Sequence, residues 1–234
     1  MKHKAIFNWS GGKDSVLALY KILQNPDFEI ISLLTTINKE TQQSSMHAIP
    51  LALLKQQAES IGLALYTIDL AANGDFTSYD QAMEKAVLHF KKLGVTHFAF
   101  GDIYLHDVRS YREKQLQAYG IQVVEPLWDL SVTEVMDEFL KSQLKTIITC
   151  ITESMLSPKY LGKIIDKQLI STFPKDTDIC GENGEYHTFC YAGPLFKKEI
   201  KFITKESIRI SNRIKMDDGS QEEFIYRYLP LSEK

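Results

Sequence analysis

In the first half of the chain, short apolar runs alternate with segments whose apolar residues recur at helical spacing. The runs have the length and composition of buried strands, and they cover residues 5–7, 28–37, 63–70, 95–103 and 121–128. Two of the helical segments between them end at a glycine, Gly62 and Gly94, as helices commonly do. Strands that alternate with helices predict an α/β fold, in which a parallel sheet carries helices on both faces.

The pattern changes after Pro126. Residues 131–143 still have helical spacing and residues 144–151 are typical of a strand, but two later runs, 197–211 and 222–231, have the character of antiparallel strands. We therefore predict two domains, one over residues 1–127 and a smaller α+β domain over residues 128–234.

Charge and cysteine content narrow the class of protein. The net charge of −3 over 234 residues gives no field that would draw the chain to nucleic acid or to a membrane, and no apolar run approaches the ~18 residues of a membrane span. Three cysteines without a C-x-x-C pair fit a reducing compartment. We expect a cytoplasmic protein that binds neither nucleic acid stably nor a membrane, and that can form a homodimer.

A loop rich in glycine and serine, residues 10–15 (SGGKDS), joins the first predicted strand to the first helix. Backbone N–H groups and the positive end of the helix dipole converge at such a junction, which therefore favours an anion. Gly11 and Gly12 let the backbone approach a phosphate, Ser10 and Ser15 add hydroxyl donors, and Lys13 adds positive charge. We call residues 10–15 the phosphate loop and predict that it binds a nucleotide.

Asp14 is the unusual member of this loop, because a carboxylate repels a phosphate unless a cation lies between them. Its presence predicts Mg²⁺ bound by Asp14 and phosphate oxygens. The alternative is a Ser/Gly turn in which Asp14 caps the helix.

Five further residues are candidates for nucleotide or substrate contacts. Gly101 and Asp102 follow a predicted central strand, where ligands bind in open α/β sheets, and the alternative for Asp102 is a helix N-cap or a turn. Arg109 and Glu113 are four residues apart on the next helix, which suits a phosphate contact oriented by Glu113 or an ordinary surface ion pair. His47, in the polar loop 38–49, either meets the nucleotide when this loop closes as a lid or is an exposed loop histidine.

A second glycine-rich loop, residues 181–187 (GENGEYH), carries two carboxylates and an imidazole. Glu182, Glu185 and His187 can bind ammonium, deprotonate it to ammonia or contact a substrate, and the alternative is a solvated surface turn. Zinc held by Cys180, His187 and Cys190 is a weaker interpretation, because no fourth ligand has suitable spacing. We call residues 181–187 the second loop.

The phosphate loop resembles the PP-loop of ATP pyrophosphatases, and residues 101–128 and 178–196 resemble the corresponding blocks of the diphthine-ammonia ligase family. The resemblance implies a Rossmann-like parallel sheet of the PP-loop/adenine nucleotide alpha-hydrolase type, followed by a smaller substrate-binding domain. It also implies an ATP-dependent amide ligase that adenylates a carboxylate, releases pyrophosphate and AMP, and amidates the acid with ammonia.

The resemblance assigns roles to the residues quoted above. Those implied to be catalytic are Lys13, Asp14, Glu182, Glu185 and His187, with Mg²⁺ on Asp14. Those implied to bind ATP are Ser10, Gly11, Gly12, Lys13, Ser15, His47, Gly101, Asp102 and Arg109, and those implied to bind the substrate are Glu113 and Asn183.

The second loop departs from the usual family pattern. Eukaryotic and archaeal members typically carry E-G-G-E-[FY]-E, whereas residues 182–187 read E-N-G-E-Y-H, which is similar to a bacterial subgroup proposed to act in cobalamin salvage. A histidine in place of the last glutamate removes a negative charge and adds a titratable group, so we expect a different substrate group to be recognised. A PP-loop RNA-modifying enzyme and a non-catalytic ATP-binding sensor are the two alternatives to a ligase.

Overall fold

The computed structural model of the chain describes residues 2–44, 47–71, 76–215 and 221–234. Its helices are α1 (Lys13–Leu23), α2 (Leu51–Ile61), α3 (Phe76–Lys92), α4 (His106–Gln117), α5 (Val132–Lys141) and α6 (Lys167–Ile170). Its strands are β1 (His3–Asn8), β2 (Phe28–Asn38), β3 (Gln43–Ser44), β4 (Ala64–Leu70), β5 (His97–Ala99), β6 (Gln122–Val124), β7 (Lys145–Thr152), β8 (Tyr186–Ala192), β9 (Phe202–Thr204), β10 (Ile208–Lys215), β11 (Gln221–Tyr228) and β12 (Leu231–Glu233).

The main sheet is parallel, in the order β4-β2-β1-β5-β6, and the short β3 pairs antiparallel with the end of β2. The chain first builds outward from β1 through β2 to β4 and then returns to the other side of β1 with β5. The strand order therefore reverses between β1 and β5, and ligands of open α/β sheets bind at the carboxyl ends of the strands at such a point. The predicted α/β fold with a parallel sheet is confirmed.

The central position of β1 follows from its sequence. Ala5, Ile6 and Phe7 are fully buried, and successive side chains of a strand point to opposite faces of the sheet. Ala5 and Phe7 accordingly belong to the core cluster that contains Val16 of α1, whereas Ile6 packs in a second cluster with Phe98. Each fully buried Ile or Phe side chain contributes about 1.5–3 kcal/mol relative to an exposed one.

The second half of the chain forms an antiparallel sheet in the order β10-β11-β7-β8, and β9 pairs with β12. Helix α5 precedes this sheet and begins with a capping box. Ser131 Oγ accepts a hydrogen bond from Glu134 N–H, and the Glu134 carboxylate accepts one from Ser131 N–H at 2.8 Å. The boundary between residues 127 and 128 stays a prediction.

The two sheets share one hydrophobic core. Phe189 and Cys190 of β8 belong to the same cluster as Phe7 of β1 and Val16 of α1. This contact brings the second half of the chain against the phosphate loop. None of the helices in the described ranges is long and apolar enough to cross a membrane.

Several element boundaries differ from the sequence prediction. The predicted strand 95–103 is shorter in the structure, His97–Ala99. Beyond it the chain leaves the sheet, and Phe100, Gly101 and Asp102 line a cavity. The predicted strand 197–211 divides into β9 and β10. In the predicted lid, residues 43–44 form β3, and Ser45 and Met46 lie outside the described residues.

Candidate active site

A cavity of about 640 Å³ opens where β1 and β5 end and the second half of the chain packs against them. It brings together most of the side chains that the sequence singled out. The predicted residues that line it are Ser10, Gly12, Lys13, Asp14, Ser15, His47, Gly101, Asp102, Glu182, Asn183 and His187.

The phosphate loop is shaped by its own serines. Ser10 Oγ accepts a hydrogen bond from Gly12 N–H, and Ser15 Oγ accepts one from Ser10 N–H, both at 3.2 Å. Gly11 has a φ of 77°, and a Cβ at this position would lie 2.5 Å from Gln57 Oε1. The loop therefore needs glycine at residue 11 for both its backbone conformation and its close packing.

A close approach also requires glycine at residue 101. A Cβ there would lie 3.0 Å from the backbone nitrogen of Ser15. The end of β5 thus packs directly on the first turn of α1, which places Asp102 beside the phosphate loop in the lining of the same cavity.

Lys13 is a buried cation, 1% exposed, and its Nζ donates to the Asp14 carboxylate. Burial opposes the charge, but Asp14, with further contributions from Tyr186 and Cys180, outweighs this effect and raises the pKa of Lys13 above its ordinary value. Lys13 therefore stays positively charged at every physiological pH. A fixed positive charge at the end of a phosphate loop favours an anionic ligand.

The N-terminus of α1 is capped from the other half of the chain. Its N-cap residue, Gly12, makes no side-chain cap, and Lys13 N–H instead donates to Thr188 Oγ1 of β8 at 2.9 Å. Asp14 lies in the first turn of α1 and does not occupy the cap position. No local sequence pattern predicts this cap, because the two partners are 175 residues apart.

The Gln57 side chain, on α2, connects the phosphate loop to β8 through hydrogen bonds. Its side chain is fully buried, and its amide nitrogen donates to Gly11 O at 3.1 Å and to Cys190 O at 2.6 Å. Its amide oxygen accepts from Trp9 Nε1 at 3.0 Å. Cys190 N–H also donates to Gly11 O, at 2.9 Å. The Gly11 carbonyl oxygen therefore accepts two hydrogen bonds, one from Gln57 and one from β8.

The second loop and the residues just before it contact the segment that follows β5. Glu182 accepts a hydrogen bond from Ile103 N–H at 2.9 Å, and Asp178, just before the loop, accepts one from the Tyr104 hydroxyl. Burial raises the pKa of Glu182 to about 7, and Asp14 and Asp102 act in the same direction. Glu182 can therefore exchange a proton near neutral pH.

Glu185 has a different environment from Glu182. It is 3% exposed, does not line the cavity, and accepts hydrogen bonds from Asp178 N–H at 3.1 Å and from the Asn183 amide at 3.4 Å. Thr152 Oγ1 donates to Gly184 O at 2.6 Å. These contacts hold the second loop in shape, so the structure supports a positioning role for Glu185, and its predicted catalytic role stays untested.

His47 and His187 lie side by side in the cavity wall. Their rings are 4.6 Å apart in an edge-to-face arrangement. Burial lowers the pKa of His187 to about 4, and burial together with His187 lowers that of His47 to about 3. Both imidazoles are therefore neutral at neutral pH.

Arg109 and Glu113 do not line the cavity. Arg109 pairs with Glu113 at 2.9 Å, as expected for residues four apart on a helix, and its guanidinium lies over the Trp128 ring. The residue of α4 that reaches the cavity is Arg112, which pairs with Asp102. Arg112 was missed in the sequence, although it lies in the same block and one helical turn beyond Arg109.

Glu125, at the end of β6, is buried behind these arginines. Its side chain is inaccessible, and neither carboxylate oxygen has a hydrogen-bond partner among the described residues. Burial and the charge of Asp102 raise its pKa to about 7, while Arg109 at 3.4 Å and Arg112 at 3.8 Å oppose the shift without donating hydrogen bonds.

This raised pKa predicts that stability depends on pH. The folded state binds the Glu125 proton more tightly than the unfolded chain does. Protonated Glu125 therefore contributes fully to the free energy of unfolding below about pH 4.5, and this contribution is lost as the pH rises through about 7. We expect the free energy of unfolding of the wild type to decrease between pH 5 and 8, and that of Glu125→Gln to decrease less. Urea denaturation at each pH measures both. A variant with an unchanged pH dependence would contradict the raised pKa.

The donor set of the cavity fits Mg²⁺ that arrives with a nucleotide. Mg²⁺ typically takes one or two protein carboxylates and completes its shell with phosphate and water oxygens. The Asp14 side chain lines the cavity and is 24% exposed, and the Asp102 carboxylate lines the same cavity. Within the described ranges no three His, Cys, Asp or Glu side chains are grouped to hold a metal alone.

Two family models match the chain in the order of its two halves. The "Diphthamide synthase N-terminal domain" matches residues 1–123, and the "Diphthamide synthase C-terminal domain" matches residues 131–217. The chain belongs to the diphthamide synthase family. The first match contains the phosphate loop and the second contains the second loop, so both loops that line the cavity lie within the matched regions of this diphthamide synthase family member.

Curated relatives of the chain are named diphthine–ammonia ligase. The human protein (Homo sapiens) is 27% identical over 227 residues, which cover 85% of this chain and 82% of the relative. The mouse protein (Mus musculus) is 26% identical over 228 residues with the same coverage, and the zebrafish protein (Danio rerio) is 31% identical over 167 residues, 64% of this chain and 65% of its own length.

These matches confirm the resemblance to the diphthine-ammonia ligase family and the predicted enzyme class, a ligase. They favour the ligase over the RNA-modifying enzyme and the sensor, the two alternatives from the sequence. Membership of the bacterial subgroup and the roles of individual site residues stay predictions.

Proposed function

We propose that this protein is an ATP-dependent amide ligase that adenylates a carboxylate and then amidates it with ammonia. The observation that carries the proposal is that the phosphate loop and the second loop line the same cavity. A nucleotide and an acceptor acid can therefore meet there. The relatives named diphthine–ammonia ligase support ammonia as the nitrogen donor and diphthine as the first acid to test.

The phosphate loop would hold the leaving pyrophosphate. Its backbone N–H groups and the dipole of α1 favour an anion, and Lys13 supplies a positive charge that burial and Asp14 keep fixed in place. Because these groups do not reorganise during the reaction, they stabilise the charge that develops on the β-phosphate as the bond to the α-phosphate breaks.

Asp14 would hold Mg²⁺ together with phosphate oxygens of the nucleotide. When bound, the ion supplies Lewis-acid stabilisation of phosphate charge. Asp14 would hold the positive charge of the ion at the phosphate loop, and the contact between Asp14 and Lys13 orients the Asp14 carboxylate.

The reaction we propose has two steps. In the first, an oxygen of the substrate carboxylate attacks the α-phosphorus, and the bond to pyrophosphate breaks. In the second, ammonia attacks the acyl carbon, the bond to the AMP oxygen breaks, and AMP leaves with the bonding electrons. Glu182, with a pKa of about 7, is suited to accept the proton that the new amide nitrogen releases.

The substrate would be selected by the second loop. Asn183 and His187 face the cavity, and His187 stands where typical family members carry a glutamate. A neutral imidazole presents no negative charge to the substrate, which supports an acid other than the one that an acidic loop recognises. We infer that the protein acts in the cytoplasm, an inference supported by its three buried free cysteines.

The products test this proposal. We expect the pure protein, incubated with ATP, MgCl₂, ammonium chloride and a panel of carboxylates that includes diphthine, to release AMP and pyrophosphate in equal amounts with one of the acids. Chromatography resolves AMP from ADP. ADP as the only nucleotide product would exclude the adenylation mechanism.

Asp14→Asn tests the metal role in the same assay. We expect AMP formation to fall about 10²-fold, because the carboxylate that holds Mg²⁺ and orients Lys13 is lost. Asp137→Asn, on α5, is the control for a carboxylate outside the cavity lining. Unchanged AMP formation in Asp14→Asn would refute this role.

A further inference from the structure

The His47 and His187 rings form part of the wall of the cavity. The Nδ1 atom of His47 is buried and has no hydrogen-bond partner among the described residues. A buried polar atom without a partner costs about 1–3 kcal/mol, so it is retained where a ligand or water completes its hydrogen bonding.

The pair comes from two distant parts of the chain. His47 follows β3, at the edge of the main sheet, and His187 is the second residue of β8. Their ring centroids are 4.6 Å apart. Thr188, next to His187, and Cys190 are hydrogen-bonded to Lys13 and Gln57, so the strand that carries His187 is held against the phosphate loop.

Neutral imidazoles have a defined recognition chemistry. Each carries one nitrogen that accepts a hydrogen bond and one N–H that donates. Burial lowers the pKa of both rings well below neutral pH, so neither ring carries the positive charge that would hold a phosphate or carboxylate. A buried cation is unfavourable unless an anion pairs with it. The pair is thus suited to a small, uncharged molecule rich in N–H donors.

We propose that His47 and His187 form the subsite that holds ammonia as the neutral molecule beside the phosphate loop. The inference rests on the proposed ligase function and names the groups that bind its nitrogen donor. Ammonia donates N–H groups to the acceptor nitrogens of the two rings and keeps its lone pair free to attack the acyl carbon. Ammonia comes from its equilibrium with ammonium in solution, where the proton passes to water or buffer, so the Glu182 carboxylate stays free to accept the proton that the new amide nitrogen releases.

The test observes the rings directly and needs no carboxylate substrate. Protein labelled with ¹⁵N-histidine, in the presence of ATP and MgCl₂, is titrated with ammonium chloride while the imidazole ¹⁵N resonances are recorded by NMR. His47→Gln and His187→Gln assign the two rings. His89→Gln, which removes an exposed histidine of α3, is the matched control.

We expect both ring resonances to shift and reach saturation with ammonium chloride, and to stay in place with potassium chloride, a cation of similar size. In each single variant, the remaining ring of the pair loses at least about tenfold in ammonium affinity, as expected when one hydrogen-bonding partner is removed. His89→Gln titrates like the wild type. The wild-type titration alone decides the question if a variant does not fold.

Two results would overturn the inference. One is the absence of a shift with ammonium chloride, and the other is an equal shift with potassium chloride, which would indicate an ordinary cation site. Either result together with normal AMP formation would remove the subsite and leave the ligase proposal intact. A saturating shift without AMP formation would support the subsite and contradict the ligase proposal.

Discussion

Lys13→Met is expected to reduce AMP formation by about 10²–10³-fold, the usual loss when one fixed electrostatic group of an active site is removed. Lys13 is 1% exposed, so its charge acts on the phosphates with little screening by water. Its removal also leaves the Asp14 carboxylate without its partner, and this uncompensated negative charge repels the nucleotide. The measurement is the steady-state rate of AMP release at saturating ATP.

Lys21→Met is the matched control for Lys13→Met. Lys21 is on the same helix, and it forms a partly exposed ion pair with Glu138. Surface pairs of this kind contribute little, about 0–1 kcal/mol, and we expect AMP formation to be unchanged. Circular dichroism and the melting temperature verify that both variants fold. A reduction of less than about tenfold in a folded Lys13→Met protein would contradict the role of the buried cation.

Gln57→Leu is expected to lower the free energy of unfolding by about 2–4 kcal/mol, because it leaves buried polar groups without partners. Trp9 Nε1–H and Cys190 O each lose a hydrogen bond in a region where Gln57 is fully buried. Gly11 O keeps its bond from Cys190 N–H, so the loop loosens on one side only. Urea denaturation of the wild type and the variant gives the difference.

Gln56→Leu, one residue earlier on α2, separates this effect from any general sensitivity of the helix. Gln56 is partly exposed and donates to Glu233 at 2.7 Å near the surface, and such substitutions usually change stability by less than about 0.5 kcal/mol. Equal destabilisation by the two variants would contradict the proposed connection between the phosphate loop and β8.

The half of the site built by the phosphate loop could be predicted from local sequence. Three buried apolar residues followed by SGGKDS define a strand, a turn and a helix start, all within fifteen residues. Gly101 and Asp102 could be predicted as well, because ligand sites lie at the carboxyl ends of parallel strands.

The choice between Arg109 and Arg112 could not be made from the sequence. Both lie on the exposed, strongly polar helix α4, and spacing alone does not tell which part of a helix face is nearer to a cavity. The decision depends on Glu125 and Trp128, which hold Arg109 away, and on Asp102, which holds Arg112 at the cavity.

By itself, the sequence determined the parallel sheet, the position of the phosphate loop and the membership of a ligase family, because each depends on residues close together in the chain or on motifs in a fixed order. Only the tertiary structure decided the cap on α1 by Thr188, the bridge by Gln57 and the meeting of His47 with His187. These contacts join residues 46 to 175 positions apart, and their geometry follows from how the second half of the chain packs on the first, which no local pattern encodes.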